Sequence, residues 1–144
     1  MKLEFNNITL LSDKEYKENR YVIPFIPENW WLRTYDNNQN YVPCVNLNGS
    51  CYNIPYLDCS FLHVRPVLIG NLKSFSLNRG NRFEFADCIW VVLNDTLAIC
   101  KDSVGRARFR NDWRAADANS YEKSDIRKWL YNWAEEKGIM FTPV

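Results

Sequence analysis

The sequence predicts a single α+β domain, and three observations carry that prediction. Short apolar runs rich in Ile, Val, Phe and Trp alternate with turn residues and read as strands. Two segments carry helix-start signals, one near each end of the chain. The 144 residues amount to about one domain, long enough to bury roughly 70% of the surface that the unfolded chain exposes. A hydrophobic fraction of 47% with 24% charged residues is ordinary for a globular protein and excludes disorder, collagen and coiled coil. Aromatic content, at 15%, is high, and those rings belong to a core, a ligand surface, or both.

In chain order, Leu3, Phe5, Ile8, Leu10 and Leu11 predict an opening strand, bulged near Asn6-Asn7. Ser12-Asp13-Lys14-Glu15 has the form of a capping box, so a helix of about two turns should follow and end before Pro24. Pro24 and Pro27 force an extended approach to Trp30-Trp31. Successive side chains alternate on a strand, so one of these two rings enters the core and the other flanks the loop region that follows. Residues 34–63 read as long loops with one short strand over 42–47 and a turn at Asn48-Gly49. Residues 63–69 are β-rich despite Pro66, which suggests an edge or a bulge. A polar linker follows over 71–80. Residues 82–86 and 88–93 read as strands, and Asn94-Asp95 turns the chain into a strand over 96–100. Residues 101–120 read as coil. Ser124 should cap the last helix, where Ile126, Trp129, Leu130, Trp133 and Ala134 keep the spacing of one helical face and Gly138 suits its end.

Charge and thiols restrict the function. A net charge of +1 does not supply the excess positive field that phosphate neutralisation needs, so nucleic acid is not the expected primary ligand. Arg106, Arg108, Arg110 and Arg114 stand among Asp102, Asp112 and Asp117 and read as a solvated, partly self-paired face. The five cysteines (Cys44, Cys51, Cys59, Cys88 and Cys100) contain no CxxC pair, and His63 is the sole histidine, so zinc is not expected. No segment approaches the ~20 apolar residues needed to span a bilayer, and the charged Met1-Lys2-Leu3-Glu4 start does not resemble a signal peptide. Free thiols in a reducing cytosol are the expected setting, with Cys88 and Cys100 as small core residues.

Four sequence words carry a family resemblance. Trp30-Trp31-Leu32-Arg33 and Val64-Arg65-Pro66-Val67-Leu68 resemble the WWLRS … GVRPAL signature of a bacterial and phage domain family of uncharacterised function. Leu10-Leu11-Ser12-Asp13-Lys14-Glu15-Tyr16 and Tyr121-Glu122-Lys123-Ser124-Asp125-Ile126-Arg127-Lys128-Trp129-Leu130 resemble its helix starts. That family is similar to the variable proteins of diversity-generating retroelements. The resemblance implies a C-type-lectin-like fold, with small twisted antiparallel sheets, two helices and a long irregular loop region, over residues 1–144. In the family the last helix usually precedes the WWLR segment, so the motif order here looks circularly permuted.

Catalytic constellations are weak. His63 with Cys59 or Cys44 would make a thiol–imidazole pair, and Asp36 with Asp58 a carboxylate pair, but a strand-edge histidine and solvated loop acids explain the same residues. Glu28-Asn29 and Asn94-Asp95 resemble fragments of lectin calcium motifs without their spacing, and turn or capping roles account for them. Arg33 and Arg65 bracket the Asn/Tyr-rich loop. A guanidinium can hold several backbone carbonyls, so both are expected to pin that loop, with anion binding as the sharper alternative.

The expected function is therefore non-enzymatic recognition of a protein partner, with no cofactor and no metal. Tyr offers rigid amphipathic area and Asn adaptable hydrogen bonds. The expected contact surface is Tyr35, Asn37, Asn38, Gln39, Tyr41, Asn46, Asn48, Tyr52, Tyr56 and Asp58, supported by Trp30, Trp31, Arg33, Arg65, Trp90, Trp129 and Trp133. The resemblance suggests a host–phage setting. One form is a cytoplasmic inhibitor of a host defence, of the anti-CRISPR kind; the other is an adhesin-type accessory on the virion surface. The alternatives are a small-molecule or nucleotide sponge, which needs a pocket near Arg33 or Arg65, and a redox enzyme like the formylglycine-generating enzymes, which needs a close pair of reactive cysteines.

Overall fold

A computed structural model describes residues 3–33, 41–54, 61–110 and 120–142. Its chain order is β1 (Phe5–Thr9), α1 (Asp13–Asn19), β2 (Trp30–Trp31), β3 (Val42–Val45), β4 (Cys51–Ile54), β5 (Leu62–Val64), β6 (Val67–Gly70), a 3-10 turn (Leu72–Phe75), β7 (Arg82–Phe85), β8 (Cys88–Val92), β9 (Leu97–Cys100), β10 (Gly105–Ala107) and α2 (Asp125–Glu136). The fold is α+β, with two α-helices and two five-stranded sheets among the described residues. The first sheet, β1-β6-β9-β8-β7, is antiparallel throughout. The second, β10-β5-β2-β3-β4, is mixed, because β2 and β5 run parallel through Trp30 and His63.

Local chemistry sets the helix starts. Ser12 Oγ accepts the Glu15 N–H at 3.0 Å and Glu15 Oε1 accepts the Ser12 N–H at 2.8 Å, so both halves of the capping box form. Ser124 Oγ accepts the Arg127 N–H at 3.1 Å at the start of α2. Ile126, Leu130, Trp133 and Ala134 are buried on one face, as their spacing predicts.

Strands β6, β8 and β9 are apolar in nearly unbroken runs because both of their faces are covered. Along β9, Leu97 and Ile99 join the core under α1, while Ala98 and Cys100 join the core under α2. Trp90 and Val91 divide in the same way, as do Val67 and Leu68. Trp30 and Trp31 follow this rule and correct the expectation that only one ring enters the core. Both are buried, Trp30 against Tyr16 and Trp31 against Phe109. Burying such a ring stabilises by roughly 1.5–3 kcal/mol, provided its N–H finds a partner. Trp31 Nε1 donates to the Ala107 carbonyl at 2.8 Å, and Trp90 Nε1 to the Phe85 carbonyl at 2.9 Å.

Several segments differ from the sequence expectation. The 34–63 stretch holds a second strand, β4, which pairs with β3 around the Asn48-Gly49 turn. Pro66 lies at neither an edge nor a bulge. It stands between β5 and β6, where the chain leaves one sheet for the other, and β6 is flanked on both sides by β1 and β9. Lacking an N–H, Pro66 interrupts the ladder there, and its carbonyl accepts the Cys100 N–H at 2.8 Å. The 71–80 linker contains the 3-10 turn, and the 101–120 coil contains β10. β10 passes so close to α2 that a Cβ on Gly105 would stand 2.8 Å from the Trp129 ring. The bulge is where the sequence puts it, between Phe5 and Asn7. Phe5 also bridges Phe141, and Thr142 donates its N–H to the Phe5 carbonyl at 2.8 Å, so residues near the two ends lie together.

Candidate functional site

Four of the expected contact residues are described. Tyr41 and Tyr52 are exposed, Asn48 is exposed, and Asn46 is half-buried. Asn48 Oδ1 accepts the Ser50 N–H at 3.0 Å and shapes the β3–β4 turn. Tyr52 lies across from Cys44, whose thiol its hydroxyl meets, and burial pushes both groups up to about 12. Tyr35, Asn37, Asn38, Gln39, Tyr56 and Asp58 lie outside the described residues, as does Cys59.

The turn of this hairpin is held from below. Tyr16 on α1 donates its hydroxyl to the Gly49 carbonyl at 2.6 Å, and Asn29 Oδ1 accepts the Leu47 N–H at 2.9 Å. A cleft opens beside it. Its lining brings Tyr21 and Phe25 together with Val45, Asn48 and Gly49, and with the buried Trp30 and Arg65. Tyr21 is 98% exposed and Phe25 66%, the extremes among the aromatic rings described, and Leu47 is exposed beside the turn.

Arg65 holds carbonyls as expected, those among the described residues belonging to the segments before β2 and at the end of β9. Nε donates to Cys100 O at 2.8 Å, and Nη2 donates to Pro24 O and Lys101 O, each at 2.6 Å. Its guanidinium also lies 5.0 Å from the centre of the Trp30 ring. The side chain is 1% exposed, and burial pulls its pKa down to about 10, leaving it charged at neutral pH. Arg33 Nη2 donates to Glu15 Oε1 at 2.8 Å, and Nη1 reaches Thr9 Oγ1 at 3.5 Å, which ties the end of β2 to α1 and β1. Arg106 donates to the Phe61 carbonyl and Arg108 lies over the Phe61 ring at 4.5 Å, so these two arginines pack on Phe61, while Arg114, Asp112 and Asp117 of the expected self-paired face lie outside the described residues. Asp102 instead meets Lys101 at 3.8 Å. The four tryptophans Trp30, Trp31, Trp90 and Trp133 are buried, and Trp129 is half-buried.

One constellation escapes a linear reading. His63 Nε2 lies 2.9 Å from Glu28 Oε2, and its Nδ1 lies 2.8 Å from Ser103 Oγ. Ser103 Oγ also meets the Gly105 carbonyl at 2.9 Å and the Gly105 N–H at 3.3 Å. The hydroxyl is thus tied to the turn into β10 as well as to His63. The three residues clamp the β5–β10 edge to the segment before β2. Cys88 and Cys100 approach each other across β8 and β9, yet burial pushes the Cys100 thiol up to about 12, opposite to what a nucleophilic thiol needs. Asn94 Oδ1 accepts the N–H groups of Thr96 and Leu97, each at 2.9 Å, which is a turn role. Among the described residues no three His, Cys, Asp or Glu side chains cluster as metal ligands, and no helix is long and apolar enough to cross a membrane.

The chain matches no protein-family model, no curated protein and no solved structure. The site must therefore be read from its own residues. Sequence reasoning missed Tyr21 and Phe25 because single aromatics beside Pro24 resemble ordinary core contributors. It missed Glu28 and Ser103 because each meets His63 from a distant segment.

Proposed function

We propose that this chain is a non-enzymatic recognition domain of the C-type-lectin-like kind, belonging to the WWLRS … GVRPAL family, and that it binds a protein partner. The observation that carries the binding reading is the exposed aromatic pair Tyr21 and Phe25 facing the Asn48-Gly49 turn across one cleft. Rings held out in water at a cleft rim can serve as anchors for a partner side chain, as Tyr does at interface hot spots. The turn opposite is fixed by Tyr16 and Asn29, so little ordering entropy is lost on binding. Tyr41 and Tyr52 extend the surface along the hairpin.

Two contacts support the family reading. The WWLR and VRPVL words pack together through the guanidinium of Arg65 over the ring of Trp30. The Phe5–Phe141 bridge brings the ends of the described chain together, which is what a permuted motif order requires. In the phage setting the partner is a host defence protein, or a cell-surface protein if the domain is an adhesin accessory.

The test is capture from a bacterial lysate with the tagged protein, comparing Tyr21→Ala/Phe25→Ala and Tyr41→Ala/Tyr52→Ala with the parent. Loss of a specific captured protein in the first double variant supports the cleft surface. The same protein captured equally by parent and both variants would sink it.

A further inference from the structure

The borders of the two sheets are not alike. The outer border of β1 is closed by Phe141 and Thr142, and β4 and β10 adjoin segments outside the described residues. β7 stands at the far border of the first sheet, paired with β8 alone. The direction of its backbone groups follows from its turn. Ala86 and Asp87 both have positive φ, 53° and 61°, as a two-residue type I′ hairpin requires, so the closing pair Phe85 and Cys88 exchanges both of its hydrogen bonds. Bonded pairs recur at every second residue, so Phe83 and Trp90 form the next one. The neighbouring ladder agrees. The Asn81 carbonyl accepts the Val92 N–H at 2.9 Å, and the carbonyl of Ile89, opposite Glu84, turns away from β7 to accept the Lys101 N–H at 2.8 Å. The N–H and C=O groups of Arg82 and Glu84 therefore point outward, and no hydrogen bond reaches them among the described residues.

The side chains of this edge alternate as well. Phe83 and Phe85 turn inward onto Phe5, with ring centres 6.1 and 4.9 Å from it. Arg82 and Glu84 are exposed on the other face, and neither is in an ion pair among the described residues. Charges on a sheet edge repel a second copy when they carry one sign, since each then meets its like. Here the signs are opposite two residues apart. An antiparallel copy related by a two-fold axis at Phe83 sets Arg82 against Glu84 and Glu84 against Arg82. The same register makes these the hydrogen-bonded pairs, because they own the outward backbone groups. Phe83 then meets Phe83 on the axis as a non-bonded pair, the kind whose side chains lie closer together. Moving the axis by one residue in either direction would set Arg82 on Arg82 or Glu84 on Glu84, so charge, backbone and aromatic ring select one pairing.

We propose that β7 is a self-association edge: a second copy of this chain pairs with it antiparallel, Arg82 of each copy against Glu84 of the other, joining the two first sheets into one. Each Arg82–Glu84 pair carries two main-chain hydrogen bonds and an ion pair across the seam. None of the seam residues lines the recognition cleft, so the dimer stands whether or not that cleft binds a protein.

The test uses the full chain alone, with sedimentation equilibrium over a range of concentrations and amide hydrogen exchange read by NMR. A short seam is a small interface, so a dimer with a Kd of about 10–100 µM is expected. As the dimer fills, exchange at the Arg82 and Glu84 amides should slow several-fold, while the Phe83 and Phe85 amides, already bonded to β8, keep their monomer rates. Glu84→Arg sets like charges opposite each other at both positions and should weaken the dimer about tenfold. Adding Arg82→Glu to it exchanges the signs and should restore the parent's affinity. Both side chains are exposed, so the variants should melt with the parent and a lost dimer cannot be mistaken for lost folding. The proposal is overturned if the chain stays a monomer at about 1 mM, if a dimer forms with the Arg82 and Glu84 amides exchanging as in the monomer, or if the sign-exchanged variant dimerises no better than Glu84→Arg.

Discussion

Arg33 and Arg65 stand in the two most distinctive words of the sequence, and the fold uses them in opposite ways. Arg65 is sealed in, with three backbone carbonyls and an indole face in place of water and, among the described residues, no carboxylate in ion-pair contact. Arg33 keeps part of its surface in a cleft and shares one carboxylate with the capping box of α1. The difference teaches where an arginine can act on a ligand. A guanidinium saturated by carbonyls from the segments before β2 and after β9 is a structural rivet. One braced on a single side still faces open space.

That comparison can be broken by four substitutions. The largest effect is expected from Arg65→Met, which relieves a buried charge but orphans three carbonyls. With no carboxylate left unpaired, the orphaned carbonyls win, and urea unfolding should show a loss of about 3 kcal/mol. Arg65→Lys should lose about 2 kcal/mol, because a single ammonium cannot reach Pro24 and Cys100 together. Ser12→Ala should cost about 1 kcal/mol, through the cap itself. It should also loosen Glu15, so the Arg33 side-chain signals should broaden in NMR while those of Arg65 stay sharp. Smallest is Arg33→Gln, under about 1 kcal/mol, as for other partly exposed ion pairs. A loss for Arg33→Gln equal to that for Arg65→Met would erase the distinction.

Local signals were legible in the sequence where one segment contains both partners. The Ser12/Glu15 box, the Ser124 cap, the β8–β9 hairpin at Asn94-Asp95 and the bulge after Phe5 all need only neighbours, and each stands where its residues place it. β10 was not legible. Its three residues Gly-Arg-Ala carry no strand pattern, and they become a strand only because Arg106 pairs with His63 across 40 or so positions. β4 was hidden for a related reason, since Tyr52 and Asn53 read as loop residues until β3 supplies a ladder. Pro66 was misread as an edge because a chain can satisfy a missing N–H by changing sheets as well as by ending one. The cleft beside Arg33 was illegible in principle: Arg33 and Tyr121 are brought together by β1 and α2, and neither word alone specifies the other.

The pairing at the two ends has a consequence for how the protein is made. Asn6 Nδ2 donates to the Thr142 carbonyl, 136 residues further on, beside the Phe5–Phe141 bridge. During synthesis β1 can dock on β6 once the middle of the chain has emerged, but its outer border stays open until Phe141 and Thr142 have left the ribosome. Joining the two ends of the described chain and cutting it elsewhere would keep the Phe5–Phe141 bridge while reversing that schedule. The last seam to close would become one of the first.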